Sequence, residues 1–249
     1  MLRLFRNIRR TVSDSDPLRK YLFYAIGEIF LVVVGILLAL QINNWNQDRI
    51  NKNTEKKLLE ELVENLSVNA QRLEESVKGE LKTASSIEIV VDVLENKKPH
   101  HDSLNYHFGR ADFAADVVLT NTAFQAISSR GFEIIRSDDL RKAIIDLFDT
   151  EYGFLIAMTI RLEDQFWPSS ALPLFHKHFR IKNMNKHNLK NGDFDAIPVD
   201  YNALLRDDEY HNMIKHRGAF RYEGAKIKRE VLNKTRLLIN LLEEYLSTF

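Results

Sequence analysis

Histidine clusters are the first candidates for chemistry in this sequence. Two groups have the close spacing of metal ligands, namely His100, His101 and His107, and the pair His176 and His178. Both groups lie in polar segments that we expect to be exposed to solvent. Solvated surface side chains explain them better than a metal centre does, so we predict no metal site.

Adjacent carboxylates are the second candidates. Glu163 and Asp164 lie next to each other, and a second acidic run begins at Asp207 and ends at Glu209. Carboxylate pairs can serve acid–base catalysis. Charge on the surface of helices and helix capping account for both runs, so we assign neither a catalytic role.

Motifs that would indicate catalysis are missing from the sequence. It has no phosphate-binding Gly loop, no Gly-x-Ser-x-Gly and no His-Glu-x-x-His. It has no cysteine, which excludes disulfides and thiol catalysis. Lys plus Arg number 35 and Asp plus Glu also number 35, so no net field attracts nucleic acid. We predict a protein without a cofactor that is not an enzyme and does not bind nucleic acid.

A long apolar stretch near the N-terminus predicts a transmembrane helix over residues 21–45. No charged residue occurs from Ile29 to Gln47. About 20 apolar residues at ~1.5 Å per residue cross the ~30 Å hydrocarbon layer. Tyr21 and Trp45 lie where an aromatic belt would lie. The lipid bilayer is therefore the first partner that we expect.

Basic residues on either side of this stretch predict its orientation. Those before it are Arg3, Arg6, Arg9, Arg10, Arg19 and Lys20, and those after it are Arg49, Lys52, Lys56 and Lys57. The excess before the span favours a cytoplasmic N-terminus, a single-pass protein of a bacterial inner membrane and a periplasmic C-terminal domain. In residues 1–20, Arg3, Arg6 and Arg10 share one side of a helix. They form either a basic amphipathic segment on anionic lipid or a frayed tail that sets the topology.

One stripe within the apolar stretch could bind another helix. At ~100° per residue, Glu28, Gly35, Ala39 and Asn46 fall on one side of the helix. Gly35 and Ala39 form a small-xxx-small pair that allows close backbone approach, and Glu28 adds a polar group. We expect this face to bind a second copy or another membrane protein. The alternative is that Glu28 lies at headgroup level and only extends to the interface.

The rest of the chain has the pattern of an all-α protein. Apolar residues spaced by three, four or seven predict one helix from the membrane to about Asn96, a stalk over residues 46–98. Residues 99–199 are expected to form a helical head, with a helix that stops before Pro168 and a surface loop from Ile181 to Val199. Asp200 is expected to cap a last helix that returns through residues 200–249. We predict a distal head and an antiparallel bundle, in which Leu58, Leu62 and Leu66 contact residues among Leu237, Leu238, Leu241, Leu242 and Tyr245.

Several segments resemble an uncharacterised family of bacterial single-pass proteins common in flavobacteria. They are Tyr-Ala-Ile-Gly-Glu-Ile at residues 24–29, Val-Val-Val-Gly-Ile-Leu-Leu-Ala-Leu-Gln-Ile-Asn-Asn-Trp-Asn at 32–46, and Asn-Thr-Ala-Phe, Ser-Arg-Gly and Ile-Arg-Ser-Asp-Asp-Leu between 121 and 140. The resemblance is weaker after Pro168. It implies an N-terminal anchor and a helical domain of unknown function, and it implies no activity.

Three functions fit these features. A membrane-anchored interaction or scaffold protein of the bacterial envelope fits best, because the stalk and the small-residue stripe are present while catalytic motifs are missing. The alternative is a sensory or ligand-binding input module that acts through a membrane partner. An envelope enzyme or metal-binding protein that uses the histidine or carboxylate clusters fits least well.

Overall fold

The computed structural model describes residues 17–114, 117–182 and 194–249, with side chains from Tyr21 onward. The basic residues Arg3, Arg6 and Arg10 lie outside the described residues. The chain divides into two compact units, residues 1–54 and 55–249, and each is described by itself.

The described residues are mostly helical, as the sequence predicts. The α-helices are α1 (Pro17–Glu95), α2 (Leu104–Ala111), α3 (Thr122–Arg130), α4 (Asp138–Ile145), α5 (Gly153–Ile160), α6 (Leu172–His178), α7 (Tyr201–Leu204) and α8 (Asp208–Leu246). Two π-helical segments, Asp146–Tyr152 and Arg161–Ala171, join α4 to α5 and α5 to α6 without a break, so residues 138–178 form one element that we call the middle helix. A short 3-10 turn (Phe132–Ile134) and two strands, β1 (Phe179–Lys182) and β2 (Asp195–Pro198), complete the described elements.

Helix α1 confirms the prediction of one continuous helix to about Asn96. The apolar stripe of its second half is buried, with Leu59, Leu62, Leu66 and Leu73 fully inaccessible to solvent. Neither proline nor a break in the stripe interrupts it, and it passes through Gly79. It ends just before Lys97, which has a positive φ of 47°. Pro99 follows, and a helix is not expected to continue through it because proline has no N–H to donate.

Helices α1 and α8 are antiparallel, as predicted. Residue numbers rise along α1 as they fall along α8 in the pairs Glu55–Tyr245, Glu74–Arg236, Glu80–Lys228, Glu88–Tyr222 and Glu95–Lys215. Leu58 and Leu62 share a hydrophobic core with Leu238 and Leu242. Tyr245 also packs against this core, so the predicted contacts are confirmed, whereas Leu237 of the predicted set is 60% exposed on the outer side of α8.

Residues 98–114 and 117–136 lie alongside the second half of α1, whereas the sequence led us to expect them in a distal head. The contacts that align this segment with α1 in the reverse direction are His107–Ser86, Arg110–Gly79, Val118–Arg72, Thr120–Asn69, Ala123–Asn65 and Arg136–Glu55. The side-chain amide of Asn69 donates a hydrogen bond to the carbonyl oxygen of Thr120 and accepts one from its N–H. These two bonds satisfy the backbone polar groups of Thr120, which lies outside any helix or strand. The segment therefore forms a second, irregular pass of the bundle.

The middle helix and α8 complete a four-pass arrangement. Ser137 caps the middle helix by accepting a hydrogen bond from the N–H of Leu140. Glu151 pairs with Lys234 and Glu163 with Arg221, so the middle helix runs antiparallel to α8. The passes are the second half of α1, residues 98–114 with 117–136, the middle helix and α8.

Three local predictions are corrected. The helix does not stop before Pro168, because Pro168 lies inside the second π-helical segment, where wider turns tolerate a residue without an N–H. The expected loop from Ile181 to Val199 contributes to an antiparallel hairpin, in which Phe179 pairs with Pro198 and Lys182 with Asp195. Asp200 caps only the short α7, and Asp207 caps α8 by accepting from the N–H of Tyr210.

Two separate hydrophobic cores stabilise residues 55–249. One contains Leu58–Leu73 of α1 together with the C-terminal half of α8, and the other contains Ile87–Leu94 together with α2, the hairpin and the N-terminal half of α8. Charged side chains lie between the two cores. We call them the polar layer, which consists of Glu80, Arg110, Asp112, Glu163, Arg217, Arg221 and Lys228.

Candidate functional site

The first half of α1 is an apolar helix with almost every side chain exposed. Among the described residues it is the one helix long and apolar enough to cross a membrane, and none of its most apolar window is buried. A Cβ atom added at Gly27 or at Gly35 would meet nothing within 4 Å. Exposed apolar surface of this extent normally contacts lipid or another protein.

Helical geometry places the four predicted interaction residues on one side of α1. Glu28, Gly35, Ala39 and Asn46 belong to one uninterrupted helix, so a spacing of seven or four residues keeps them aligned. The amide oxygen of Asn46 accepts a hydrogen bond from Arg49 Nη2 at 3.2 Å. The structure thus brings these residues to one face, and Asn46 at the end of that face is paired with a cation of its own helix.

The polar layer is the most unusual feature of residues 55–249, because it buries charge. Glu80 Oε1 accepts from Lys228 Nζ at 2.6 Å, and Glu80 Oε2 lies 3.1 Å from Arg221 Nη1. Arg221 Nη2 also pairs with Glu163 Oε1. The side chains of Glu80, Arg221 and Lys228 are each no more than 5% exposed. One carboxylate of α1 therefore binds two cations of α8, and one of these cations reaches the middle helix.

Arg217 connects the layer to the end of α2. Its Nε donates to the carbonyl oxygen of Ala111 at 2.9 Å, and its Nη2 donates to the carbonyl oxygen of Asp112. These are carbonyls of the last turn of α2, which a cation stabilises. Burial lowers the pKa of Arg217, and the adjacent Arg221 lowers it further.

Asp112 is a carboxylate of the layer whose ionisation is opposed by burial. Its Oδ1 accepts from Trp167 Nε1 at 3.1 Å. Burial raises its pKa above the ordinary value, although the nearby Arg217 and the bond from Trp167 oppose the shift. The neutral acid is therefore favoured over a wider pH range than for a solvated aspartate.

A small cavity lies beside these ion pairs. Its lining includes Glu80, Glu163, Arg221, Gly224 and Lys228, and its volume is about 10 Å³. This is the space of about one water molecule. Two guanidinium nitrogens of the layer, Arg221 Nε and Arg217 Nη1, are buried and have no hydrogen-bond partner among the described residues.

The predicted histidine clusters have structural partners instead of shared ligands. His178 Nε2 lies 2.8 Å from Asp207 Oδ2, and His107 Nδ1 lies 3.2 Å from Ser86 Oγ. His100 bonds with Asn105. Within residues 17–114, 117–182 and 194–249, no three potential ligands from His, Asp or Glu come together.

Glu163 corrects the expectation of a surface charge. It belongs to the polar layer, with a side chain only 18% exposed, whereas its neighbour Asp164 is exposed. The spacing of cations along α8 is a signal of this burial in the sequence. Along α8 the buried positions Tyr210, Ile214, Arg217, Arg221 and Lys228 repeat every three, four or seven residues, so three cations occupy core positions of the helix.

Comparison with known protein families identifies a match over most of the chain. A family of unknown function (DUF6090) matches residues 28–199, which include most of the apolar stretch, the second half of α1 and the middle helix. Neither the curated proteins nor the solved structures include a significant match.

Proposed function

We propose that this chain, which belongs to that family of unknown function, is a membrane-anchored helical interaction or scaffold protein of the bacterial envelope. The observation that carries the proposal is the continuity of α1. One helix contains both an exposed stretch without charge and the first pass of a packed bundle. Such a helix fixes a folded domain to the bilayer.

The proposed location is the inner membrane, with the N-terminus in the cytoplasm and residues 55–249 in the periplasm. Support comes from the excess of basic residues before the span. Reporter fusions after Phe249 test this orientation. A reporter that works only outside the cytoplasm should be active, and activity of a cytoplasm-only reporter at the same site would refute it.

The proposed binding face is the side of α1 that carries Glu28, Gly35, Ala39 and Asn46. Lipid gives apolar side chains no reason to leave it, so helix association depends on close backbone packing and polar contacts. Gly35 has no side chain and no neighbouring atom within 4 Å of its Cβ position, so another helix backbone can approach closely there. The occupant is a second copy of the chain or another membrane helix.

Crosslinking in native membranes tests this face. Gly35→Leu should abolish the crosslinked species and leave insertion intact, because the segment stays apolar. Val34→Leu is the matched control, because it places a leucine one residue away, on a different side of the helix. It should leave the crosslinked species unchanged. The same crosslinked species in wild type and Gly35→Leu would refute the face.

The proposed role is non-catalytic. It is supported by the structural use of the residues that could do chemistry, since Asp207 caps α8 and binds His178, and Glu163 binds Arg221. Substitution of such a residue should change stability before it changes any reaction. Turnover of an envelope substrate that is lost in a folded Asp207→Asn protein would overturn this part of the proposal.

A sensory input module is the second candidate. The observation that favours it is an open pocket of about 460 Å³ between the middle helix and α8, with a lining that includes Phe166, Lys177, Glu209 and His216. A ligand bound there would bias the packing of the middle helix against α8. Mass spectrometry of proteins and small molecules that copurify in mild detergent separates the two candidates, because a scaffold retains a protein partner and a sensor retains a ligand.

A further inference from the structure

The open pocket between the middle helix and α8 has the size of a small-molecule site. Its volume is about 460 Å³, within the range of known ligand pockets. Both of its walls are helices, so the packing of the bundle keeps it open. The lining residues that matter for recognition are Phe166, Leu174 and Lys177 of the middle helix, and Glu209, Met213 and His216 of α8.

The two walls are antiparallel, so the pocket has two different ends. At one end Lys177 binds Asp207, and at the other Phe166 packs edge-to-face against His216, with ring centroids 5.7 Å apart. Glu209 and His216 are seven residues apart along α8, which is about 10 Å at ~1.5 Å per residue. The pocket is therefore elongated, with an ionic end and an aromatic end.

The ionic end favours a cationic group over an anionic one. Three consecutive carboxylates, from Asp207 to Glu209, occupy the start of α8, and Lys177 binds the first of them. The hydrogen bond to Asp207 raises the pKa of Lys177, and the nearby charge of Glu209 raises it as well. Arg206 is directed elsewhere, because its Nε donates to the carbonyl oxygen of Asn202. An anionic ligand would therefore be repelled by Glu209, whereas an ammonium group would be attracted to it.

The rest of the pocket suits an apolar body that ends in a ring. Leu174 and Met213 are buried residues of its lining. The exposed ring of His216 lies over Phe220 with centroids 4.3 Å apart, and Phe166 meets both rings edge-on. Such rings favour offset or edge-to-face contact with a further ring. A ligand with a positive charge at one end and an aromatic ring at the other would match both ends of the pocket.

We propose that this pocket binds a small organic amine that carries an aromatic ring, with the ammonium group at Glu209 and the ring against Phe166 and His216. The ammonium group donates a hydrogen bond to the Glu209 carboxylate, and the apolar body of the ligand covers Leu174 and Met213. The inference rests on the second candidate function, because it names a ligand class for the pocket of the sensory module. It is independent of the anchoring function and of the helix face at residue 35.

Isothermal titration calorimetry of the full chain in mild detergent tests the ligand class, with phenylbutylamine as the probe and phenylbutyrate as its anionic counterpart. The wild type should bind the amine and not the carboxylate. Glu209→Gln should weaken binding of the amine roughly 10- to 100-fold, which is the effect of losing a hydrogen bond to a charged group. Asp208→Asn is the matched control, because Asp208 is an exposed carboxylate of the same turn that does not belong to the described lining. It should bind the amine nearly as tightly as the wild type does.

Equal affinity of the wild type and Glu209→Gln for the amine would overturn the proposal. Preferential binding of phenylbutyrate would also overturn it, but would leave the sensory module standing with a different ligand. Crystals of the wild type soaked in the bromophenyl analogue of the amine provide a measurement that requires no variant. An anomalous bromine peak should lie beside Phe166 and His216, and peaks only outside the pocket would refute the site. Crosslinking at residue 35 does not depend on this ligand, so failure here is distinguishable from failure of the anchoring proposal.

Discussion

Replacement of Leu62 by alanine tests the packing of α1 against α8. The side chain of Leu62 is fully inaccessible and belongs to the core that contains Leu238 and Leu242. Truncation removes three carbon groups, which costs roughly 2–3 kcal/mol at ~0.8 kcal/mol per group. The remaining cavity raises the expected loss in the free energy of unfolding to about 2–5 kcal/mol.

Urea unfolding in mild detergent, followed by far-ultraviolet circular dichroism, measures this loss. Leu237→Ala is the matched control, because it makes the same chemical change on α8 at a side chain that is 60% exposed. That variant should lie within about 0.5 kcal/mol of the wild type. Equal losses for the two variants would show that the register between α1 and α8 is wrong.

Three further changes have defined outcomes in the same unfolding assay. Gly109→Ala should cost roughly 1–3 kcal/mol or more, because its Cβ would overlap the Phe194 carbonyl oxygen. Gly153→Ala, whose Cβ would have nothing within 4 Å, should stabilise by up to about 1 kcal/mol; a neutral Gly109→Ala would contradict the close approach of α2 to Phe194. Asp112→Asn should gain stability relative to wild type as pH rises above about 4. Burial raises the pKa of Asp112 in the folded state, so the unfolded wild type releases the proton at a lower pH than the folded wild type, and the wild type loses stability; a constant difference across pH would contradict this. Asp207→Asn should lose stability at neutral pH and approach wild type below about pH 4, because Lys177, the Tyr210 N–H and His178 hold the pKa of Asp207 below its ordinary value; a loss that persists at low pH would contradict this.

Regular helical stripes and local caps were predictable from the sequence. The leucine positions of α1 and their spacing determine which side is buried, and Ser137 precedes a typical first turn. Gly131 ends α3 with a positive φ of 93°, as its residue type indicated. These features depend on neighbours within one or two turns, so periodicity and residue type suffice to find them.

Features that depend on distant residues could not be predicted in this way. Val118 and Thr120 lie against α1 because Asn69 and Arg72 supply hydrogen bonds from about fifty residues away. Apolar and polar residues do not alternate regularly in the hairpin segment around Arg180 and Ile181. The sequence therefore lacks the period-two pattern that would have indicated a strand. Glu163 appeared to be a surface residue because its partner Arg221 lies on another pass of the bundle.

Disulfide crosslinking between copies tests most directly whether the apolar half of α1 is an interaction face. The chain has no cysteine, so single cysteines report without background. Gly35→Cys and Ala39→Cys place a thiol on the proposed face, whereas Val33→Cys and Leu37→Cys place it on the opposite side of the same helix. Oxidation in native membranes should give a covalent dimer for the first pair and little or none for the second. Equal dimer yields at all four positions, or dimers only at Val33 and Leu37, would contradict association through this face.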